Sequence, residues 1–200
     1  MVAGTRLAGL AVAEPPGGRA TRAFALIESA LREAGVSREE VECIAVGAGP
    51  GSYTGIRVAI AVAQGWQLVR DVRVLGVSSV EGLAAQVHEE GGRGPVHVVI
   101  NAERNEAYLA GYEMSDGGWR ETAALRLASI EEVKALAAGG QAIFGPGLEE
   151  WGVQGRTVWP HAKQIGLLAA GRTDFVRGEE LTPIYLRVAG FVKAPPPRKI

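Results

Sequence analysis

The order of apolar and polar positions predicts alternating strands and helices along the first hundred residues. Residues 5–14, 41–47 and 72–77 are short apolar runs, which favour strands. Residues 21–34 carry apolar side chains at spacings of three and four, which predicts a helix, and residues 54–69 are predicted as a second helix that is apolar nearly all round. Strands that alternate with helices are typical of a mostly parallel sheet with helical cover. We therefore expect an α/β fold.

The pattern changes in the second half of the chain. Residues 95–100, 106–113 and 119–127 favour strands and are joined by polar turns, which predicts an antiparallel meander. Residues 129–138 and 161–170 then have the periodicity of helices. Further predicted elements are a helix over 79–89 capped by Ser79, short strands at 141–144 and 156–158, and an extended segment at 182–187.

Composition narrows the class of protein. The 200 residues are 47% hydrophobic and 22% charged with a net charge of −1, as in ordinary globular proteins. We divide them into an N-terminal lobe at 1–100, a C-terminal lobe at 101–190 and a proline-rich basic tail at 191–200. Because the chain has no excess of positive charge to attract phosphates, we expect a partner to make most of any contacts with RNA. No apolar stretch approaches the ~20 residues of a membrane helix. The single Cys43 fits a reducing cytoplasm and a structural role.

A glycine-rich loop between the strand at 41–47 and the helix at 54–69 is the strongest local signal. Glycine permits positive φ and close approach of another surface, and N–H groups at a helix start attract anions. The loop therefore fits either an anion cradle or a tight turn. It lacks the lysine of a Walker loop and the spacing of a dinucleotide or serine-elbow motif. The candidate contact residues are Gly49, Pro50, Gly51, Ser52, Tyr53, Thr54, Gly55 and Arg57.

Two side chains of this loop merit attention, and no catalytic or metal site is predicted. Thr54 can cap the following helix, and Arg57 can reach a carboxylate or phosphate or form a salt bridge within the lobe. The three histidines, His88, His97 and His161, lack the H-x-x-x-H spacing of helical metal ligands.

Four motifs carry a family resemblance. The string GPGSYTGIR at 49–57 is very similar to the G-P-G-S-[FY]-T-G-[LIV]-R signature of the TsaB/YeaZ family. GVSSVEGLAAQ at 76–86, NAERNEAYLAGY at 101–112 and PIYLR at 183–187 resemble further family segments in the same order. The likeness extends over roughly residues 20–190.

The resemblance implies a two-lobed actin-like ATPase fold, related to RNase H. It also implies a cytoplasmic, non-catalytic scaffold or activator of the complex that forms threonylcarbamoyladenosine beside the tRNA anticodon. The expected partners are a TsaD-like catalytic subunit, a TsaE-like ATPase and, when alone, a second copy; tRNA is reached only through the complex. No cofactor is expected, with ATP or ADP at a partner interface as the alternative. The alternative function is an actin-like ATPase or a glycoprotease-type hydrolase.

The resemblance also assigns a docking surface to the helices at 21–34 and 54–69. One face of each helix is expected to pack on the protein's own sheet and the other to meet a partner. The predicted contact residues are Phe24, Ile27, Leu31, Val58, Ala61, Val62 and Gly65.

The chain departs from the family pattern at several places. The usual first strand, written ILALDTS, is missing, which predicts a smaller first sheet with an edge open to pairing. Asn101 replaces the usual aspartate of the hairpin motif, and Asn105 replaces glycine. Arg104, Glu106 and Tyr108 are expected to link the lobes. The tail with Lys193, Arg198 and Lys199 is expected to be solvated or held by a partner.

Overall fold

The structure, a computed structural model, describes residues 23–186 and contains five helices and seven strands in that range. The helices are α1 (Ala23–Ala34), α2 (Tyr53–Val69), α3 (Ser79–Glu89), α4 (Ile130–Ala138) and α5 (Ala162–Ala170). The strands are β1 (Cys43–Gly49), β2 (Arg73–Ser78), β3 (Gly94–Asn101), β4 (Glu106–Ser115), β5 (Gly118–Ser129), β6 (Ala142–Gly145) and β7 (Arg156–Thr157).

The first sheet consists, within the described residues, of the parallel pair β1–β2. Successive side chains of β2 point to opposite faces. Val74 therefore packs with Ile56 and Ile60 of α2, whereas Leu75 and Val77 pack with Ile165 and other residues of α5. The sheet is thus held between a helix that directly follows β1 and a helix from the far end of the chain.

The second sheet has five strands in the order β5-β4-β3-β6-β7. The central strand β3 is apolar on both faces, as a strand covered by helices on both sides must be. Val98 and Ile100 face a core shared with α3, and Val99 faces a core shared with α4. β3 pairs antiparallel with β4 and parallel with β6, so the predicted meander is the edge half of a mixed sheet.

The mixed α/β class predicted from the sequence is confirmed. The predicted cap at Ser79 is wrong. Ser78 is the N-cap, and its backbone N–H donates to the Glu81 carboxylate at 3.3 Å, which makes Ser79 the first helical residue. The strand predicted at 5–14, the missing first strand and the tail at 191–200 lie outside the described residues.

The two sheets do not divide the chain at one point. The predicted boundary between residues 100 and 101 falls at the end of β3, which already belongs to the second sheet. α5 returns to the first sheet, and Ile184 donates its N–H to the Ala48 carbonyl at 2.8 Å. Between residues 23 and 186, no helix is long and apolar enough to cross a membrane.

Candidate functional site

The glycine loop starts where β1 ends, and its first glycine is required by the backbone. Gly49 has a φ of 103°, and a Cβ there would lie 2.9 Å from the Ile56 side chain. The hydrogen bond from Ile184 to Ala48 covers the same point from the other side. Both the positive φ and the close approach expected of this loop are therefore present at Gly49.

The loop ends in the first turn of α2. Ser52 is the N-cap, and its hydroxyl accepts a hydrogen bond from the Gly55 N–H at 3.3 Å. The prediction that Thr54 caps this helix is wrong, because α2 begins at Tyr53 and Thr54 is already its second residue. Serine at an N-cap satisfies one of the N–H groups that a helix start leaves without a partner.

Aromatic rings cover the outer side of the loop. The Tyr185 ring is stacked on the Tyr53 ring at a centroid distance of 5.9 Å. The Arg57 guanidinium lies 5.2 Å from the centroid of Tyr53 and donates to its hydroxyl at 3.1 Å. Of the two roles predicted for Arg57, the salt bridge within the lobe is absent from the described residues. The arginine instead fixes Tyr53.

A cleft of about 960 Å³ separates the glycine loop from the second sheet, and we call it the interlobe cleft. One wall is residues 50–56 with Ile184 and Tyr185, and the other comes from the end of β3, the turn after it and the segment 146–160. Its aromatic side chains are Tyr53, Tyr108, Trp151, Trp159 and Tyr185, and its charged side chains are Glu103, Arg104 and Glu150. Such a lining favours a ligand with flat or ring-shaped apolar groups.

The turn between β3 and β4 forms part of this wall with an uncommon backbone. Glu103, Arg104 and Asn105 are consecutive residues with φ of 62°, 57° and 60°. Asn101 stabilises the turn by accepting the Glu103 N–H at 2.6 Å on its side-chain oxygen. Asparagine tolerates the left-handed region better than most residues, which explains Asn105 where the family resemblance has glycine.

Sequence reasoning found only part of this cleft. It singled out Arg104 and Tyr108, which line the wall opposite the loop. It missed Trp151, Trp159 and Tyr185. The available signal was the position of Trp159 beside Pro160, whereas Trp151 packs partly on the core that contains Val99.

The two helices predicted to dock on a partner are α1 and α2, and we call α1 together with the exposed side of α2 the α1–α2 face. α1 has no buried residue although it is amphipathic, and Phe24 is 64% exposed. α2 buries Ile56, Ile60 and Ala63 against the first sheet and leaves Ala61 and Gly65 exposed. The other predicted contact residues, Ile27, Leu31, Val58 and Val62, are half-buried.

The remaining chemical candidates are spread over the fold. His88 contacts the Ser115 carbonyl at 2.9 Å, His97 lies on β3, and His161 is the N-cap of α5. Among residues 23–186, no three His, Cys, Asp or Glu side chains form a group that could hold a metal ion. Cys43 is half-buried on β1; burial raises the pKa of its thiol, and Arg73 opposes that shift.

Comparison with known proteins places these features in a family. The sequence profile of the TsaD family, tRNA N6-adenosine threonylcarbamoyltransferase, matches residues 20–164. The tRNA threonylcarbamoyladenosine biosynthesis protein TsaB of Escherichia coli K12 is 29% identical over 185 residues, which is 83% of this chain and 79% of that protein. The TsaB protein of Haemophilus influenzae is 31% identical over 119 residues, covering 56% and 50% of the two chains.

Solved structures agree. A Pseudomonas aeruginosa protein described as similar to peptidase YEAZ superposes with a TM-score of 0.73 at 31% identity and covers 86% of both chains. A second structure, YeaZ from the same organism, gives 0.70 at 31% identity over 84% of both chains. Two sheets that face each other across a cleft, with a glycine loop on its rim, define a two-lobed α/β protein of the actin-like class. Within that class, the chain belongs to the TsaB/YeaZ family.

Proposed function

We propose that this chain acts in threonylcarbamoyladenosine formation on tRNA as a non-catalytic scaffold or activator of a TsaD-like catalytic subunit. The observation that carries the proposal is the α1–α2 face. An amphipathic helix without a buried residue and the exposed side of α2 each present apolar surface to solvent. Contiguous apolar patches on soluble proteins mark sites of association.

The shape of the face suits a partner helix. Ala61 and Gly65 are four positions apart and lie on the same side of α2. Among residues 23–186, no atom outside the backbone of α2 lies within 4 Å of the position of a Gly65 Cβ, so the groove above it is open there. Phe24 on α1 and Leu68 at the end of α2, 64% and 88% exposed, can flank an incoming helix. The large side chains at the edges and the small ones between them allow helices to approach closely.

The arrangement of polar groups favours the role of a scaffold over that of a catalytic subunit. The histidines lie on three separate elements, and the hydroxyl of Ser52 is engaged as a helix cap. A serine hydrolase or glycoprotease needs a nucleophile within reach of a base that is itself oriented. The net charge of −1 gives no field for tRNA, so in this proposal tRNA is bound by the complex.

The same face accounts for the other proposed assemblies. A homodimer of the isolated chain would use the α1–α2 face of both copies in a symmetric interface. The catalytic subunit would displace the second copy, because one face cannot hold both. A TsaE-like ATPase would then bind the assembled pair. Any ATP or ADP would be held at such an interface and not by the isolated chain.

Light scattering of this chain, alone and mixed with the TsaD-like subunit of its organism, tests the proposal. The mixture is expected to give a one-to-one complex that Ala61→Arg abolishes, because a guanidinium in the small-residue groove blocks a partner helix. Ala135→Arg is the matched control, since it places the same side chain on an exposed position of α4. Equal binding by both variants would remove the α1–α2 face from the proposal.

Calorimetric titration with ATP separates the scaffold from the alternative of an actin-like ATPase. We expect no heat of binding for the isolated chain. Micromolar binding by the isolated chain, lost in Gly49→Ala but retained in Ala61→Arg, would instead favour a nucleotide site in the interlobe cleft. That outcome would leave the docking experiment unaffected, so the two functions are tested independently.

A further inference from the structure

Both walls of the interlobe cleft carry aromatic rings that are in contact with solvent. Tyr185, on the wall of the glycine loop, is 45% exposed, and Trp159, on the opposite wall, is 42% exposed. The docking proposed for the α1–α2 face uses neither ring. Large rings that line a cleft and stay exposed are typical of a binding site for a ligand.

These rings are held in place by the backbone beside them. The Ile184 N–H donates to the end of β1 at 2.8 Å, which fixes the chain next to Tyr185. Val158 is 5% exposed and its N–H donates to the end of β6 at 3.1 Å, which fixes the chain next to Trp159. A site whose parts are already positioned loses less conformational entropy when a ligand binds.

One carboxylate in the cleft is available to a ligand. Glu150 belongs to the short helical turn Leu148–Trp151, whose first residue is fully buried. Its carboxylate lies 3.7 Å from the position of a Gly147 Cβ, and Gly147 itself lines the cleft. Glu150 is exposed and takes part in none of the salt bridges among residues 23–186.

A hydrogen bond ties the turn of Glu150 to the segment that carries Trp159. The Thr157 hydroxyl donates to the carboxylate of Glu149, the residue before Glu150, at 3.0 Å. Thr157 ends β7, and Trp159 follows two residues later. The free carboxylate and the exposed ring therefore belong to adjoining segments of one wall.

The charge of the cleft favours a cation. Among the described residues of the lining, Glu103 and Glu150 are the carboxylates and Arg104 is the cation, which leaves an excess of one negative charge. The face of an aromatic ring is the negative part of its quadrupole and also attracts cations. Both contributions oppose a phosphate and favour a positively charged ligand.

A guanidinium group matches both the rings and the carboxylate. It is planar, stacks on aromatic faces and can pair with a carboxylate through two parallel N–H groups. It is also more weakly hydrated than an ammonium group, and the carbon stem of an arginine adds apolar contact. The protein already makes such a contact at the rim of the cleft, where the Arg57 guanidinium lies 5.2 Å from the centroid of Tyr53.

We propose that the interlobe cleft binds a guanidinium group, which lies against the Trp159 ring, pairs with Glu150 and is faced by Tyr185 from the opposite wall. The group comes from an arginine side chain of another polypeptide or from a free guanidinium compound, since both present the same planar cation. The cleft is thus a binding site of its own, separate from the α1–α2 face.

The tryptophan indole N–H signals of the isotope-enriched, full-length chain provide the test. The probe is Nα-acetyl-arginine amide, whose guanidinium is its one charge. Its addition is expected to shift the Trp159 signal with a Kd on the order of 1 mM, as suits a ligand of this size. Trp66 packs on the core of the first sheet and Trp119 packs on Tyr112, so their signals should not move.

Two related ligands separate the contributions of charge and shape. Nα-acetyl-citrulline amide has nearly the same planar shape but no charge, and Nα-acetyl-lysine amide has the same charge but no planar group. We expect both to bind about tenfold more weakly than the arginine probe. Equal binding of the citrulline ligand would overturn recognition of a cation, and equal binding of the lysine ligand would overturn recognition of guanidinium.

A pair of neighbouring carboxylates supplies a matched control. Glu150→Gln is expected to weaken binding of the arginine probe about tenfold, because the charged hydrogen bonds are lost. Glu149→Gln removes the same charge from the same turn, but Glu149 does not line the cleft, and glutamine can still accept the hydrogen bond from Thr157. Equal affinities of the two variants would remove Glu150 from the site and contradict the proposal.

Substitutions of Tyr185 test the aromatic wall. Tyr185→Leu should weaken binding of the arginine probe about threefold or more, whereas Tyr185→Phe should bind as the unaltered chain does, because the ring makes the contact. Unchanged signals of Trp66 and Trp119 will show that each variant is folded. Full affinity in Tyr185→Leu, or a shift confined to Trp66 or Trp119, would overturn the proposed position of the ligand.

Two further ligands identify the source of the guanidinium. Propylguanidinium is the side chain alone, and acetyl-Ala-Arg-Ala-amide adds flanking peptide groups. A tripeptide that binds about tenfold more tightly than propylguanidinium assigns the site to a polypeptide, and equal affinities assign it to a small compound. Binding of neither at millimolar concentration would overturn the site. No catalytic partner is present in these titrations, so failure here leaves the proposed function intact.

Discussion

The two sheets of this protein are covered in different ways. The second sheet has five strands and buries its central strand between α3 on one face and α4 on the other. The first sheet, within the described residues, has two strands and depends on α5 from the far end of the chain for one of its faces. Beside it, α1 buries no residue. The second sheet is thus covered by helices next to it along the chain, whereas the first sheet relies on a helix from a distant part of the chain.

Core truncation should show this contrast most strongly. Leu83 of α3 is fully buried in the core shared with the second sheet, whereas Leu68 of α2, the helix that packs on the first sheet, is 88% exposed. Leu83→Ala is expected to lower the free energy of unfolding by about 2–5 kcal/mol, because a cavity remains. Leu68→Ala should change it by less than about 0.5 kcal/mol. Urea unfolding followed by circular dichroism measures both, and a similar loss for Leu68→Ala would mean that this side chain is covered in solution.

Alanine substitutions at two glycines of the first lobe should change the free energy of unfolding in opposite directions. Gly49→Ala forces an L-residue to a φ of 103° against Ile56 and should cost about 1–3 kcal/mol of unfolding free energy. Gly65→Ala adds a methyl group in open space within α2 and should stabilise the isolated chain by about 0.5–1 kcal/mol. Thermal unfolding of both variants provides the check. Destabilisation by Gly65→Ala would mean that the α1–α2 face is already occupied.

Tyr112 carries one of three buried side-chain oxygens that have no hydrogen-bond partner among the described residues. Tyr112 is almost fully buried, and its hydroxyl has no hydrogen-bond partner among the described residues. Burial raises the pKa of this phenol, and Glu121 and Glu81 raise it further. Tyr112→Phe is therefore expected to leave stability unchanged or to raise it by about 1 kcal/mol. Denaturant titration of the variant measures this change in stability. A clear loss of stability would reveal a hydrogen-bond partner for the hydroxyl, such as a buried water.

An acid titration probes the junction of the two lobes and should give the smallest effect. Arg172 donates to Asp174 at 2.8 Å and lies 3.6 Å from Glu81 of α3. The hydrogen bond from Arg172 lowers the pKa of Asp174 from 3.8 to about 2. The pair therefore stabilises the fold above the unfolded-state pKa, and this stabilisation is lost as the pH falls through about 2. The stability of Asp174→Asn should vary less with pH over that range; identical slopes would contradict the assignment.

Local pattern predicted the elements of this fold well, but not what they pack against. The helix at 54–69 and the hairpin strands follow from periodicity that short stretches carry. The position of α5 under the first sheet depends on contacts such as those of Ile165 with Leu75 and Val77, about ninety positions away, which no local pattern encodes. The cap at Ser52 was missed because Thr54 has an equally suitable hydroxyl, and only the backbone decides between them.

The two candidate sites differ in the same way: local sequence predicts the glycine loop but not the interlobe cleft. The glycine loop could be found from the sequence because Gly49 is needed for its own backbone geometry. The interlobe cleft could not, because Trp151, Trp159 and Tyr185 meet the loop only after both lobes have folded. The resemblance to the TsaB/YeaZ family supplied the docking helices, whose periodicity alone predicts burial against the protein's own sheet as readily as against a partner.

The hydrogen bond from the Ile184 N–H to the Ala48 carbonyl can form only late in the translation of this chain. The two residues are 136 positions apart, and translation at roughly 5–20 residues per second separates their appearance by about 7–27 s. During that interval the glycine loop has emerged without the segment that covers it. The backbone around the glycine loop is therefore completed only after a segment more than a hundred residues later in the chain has been translated.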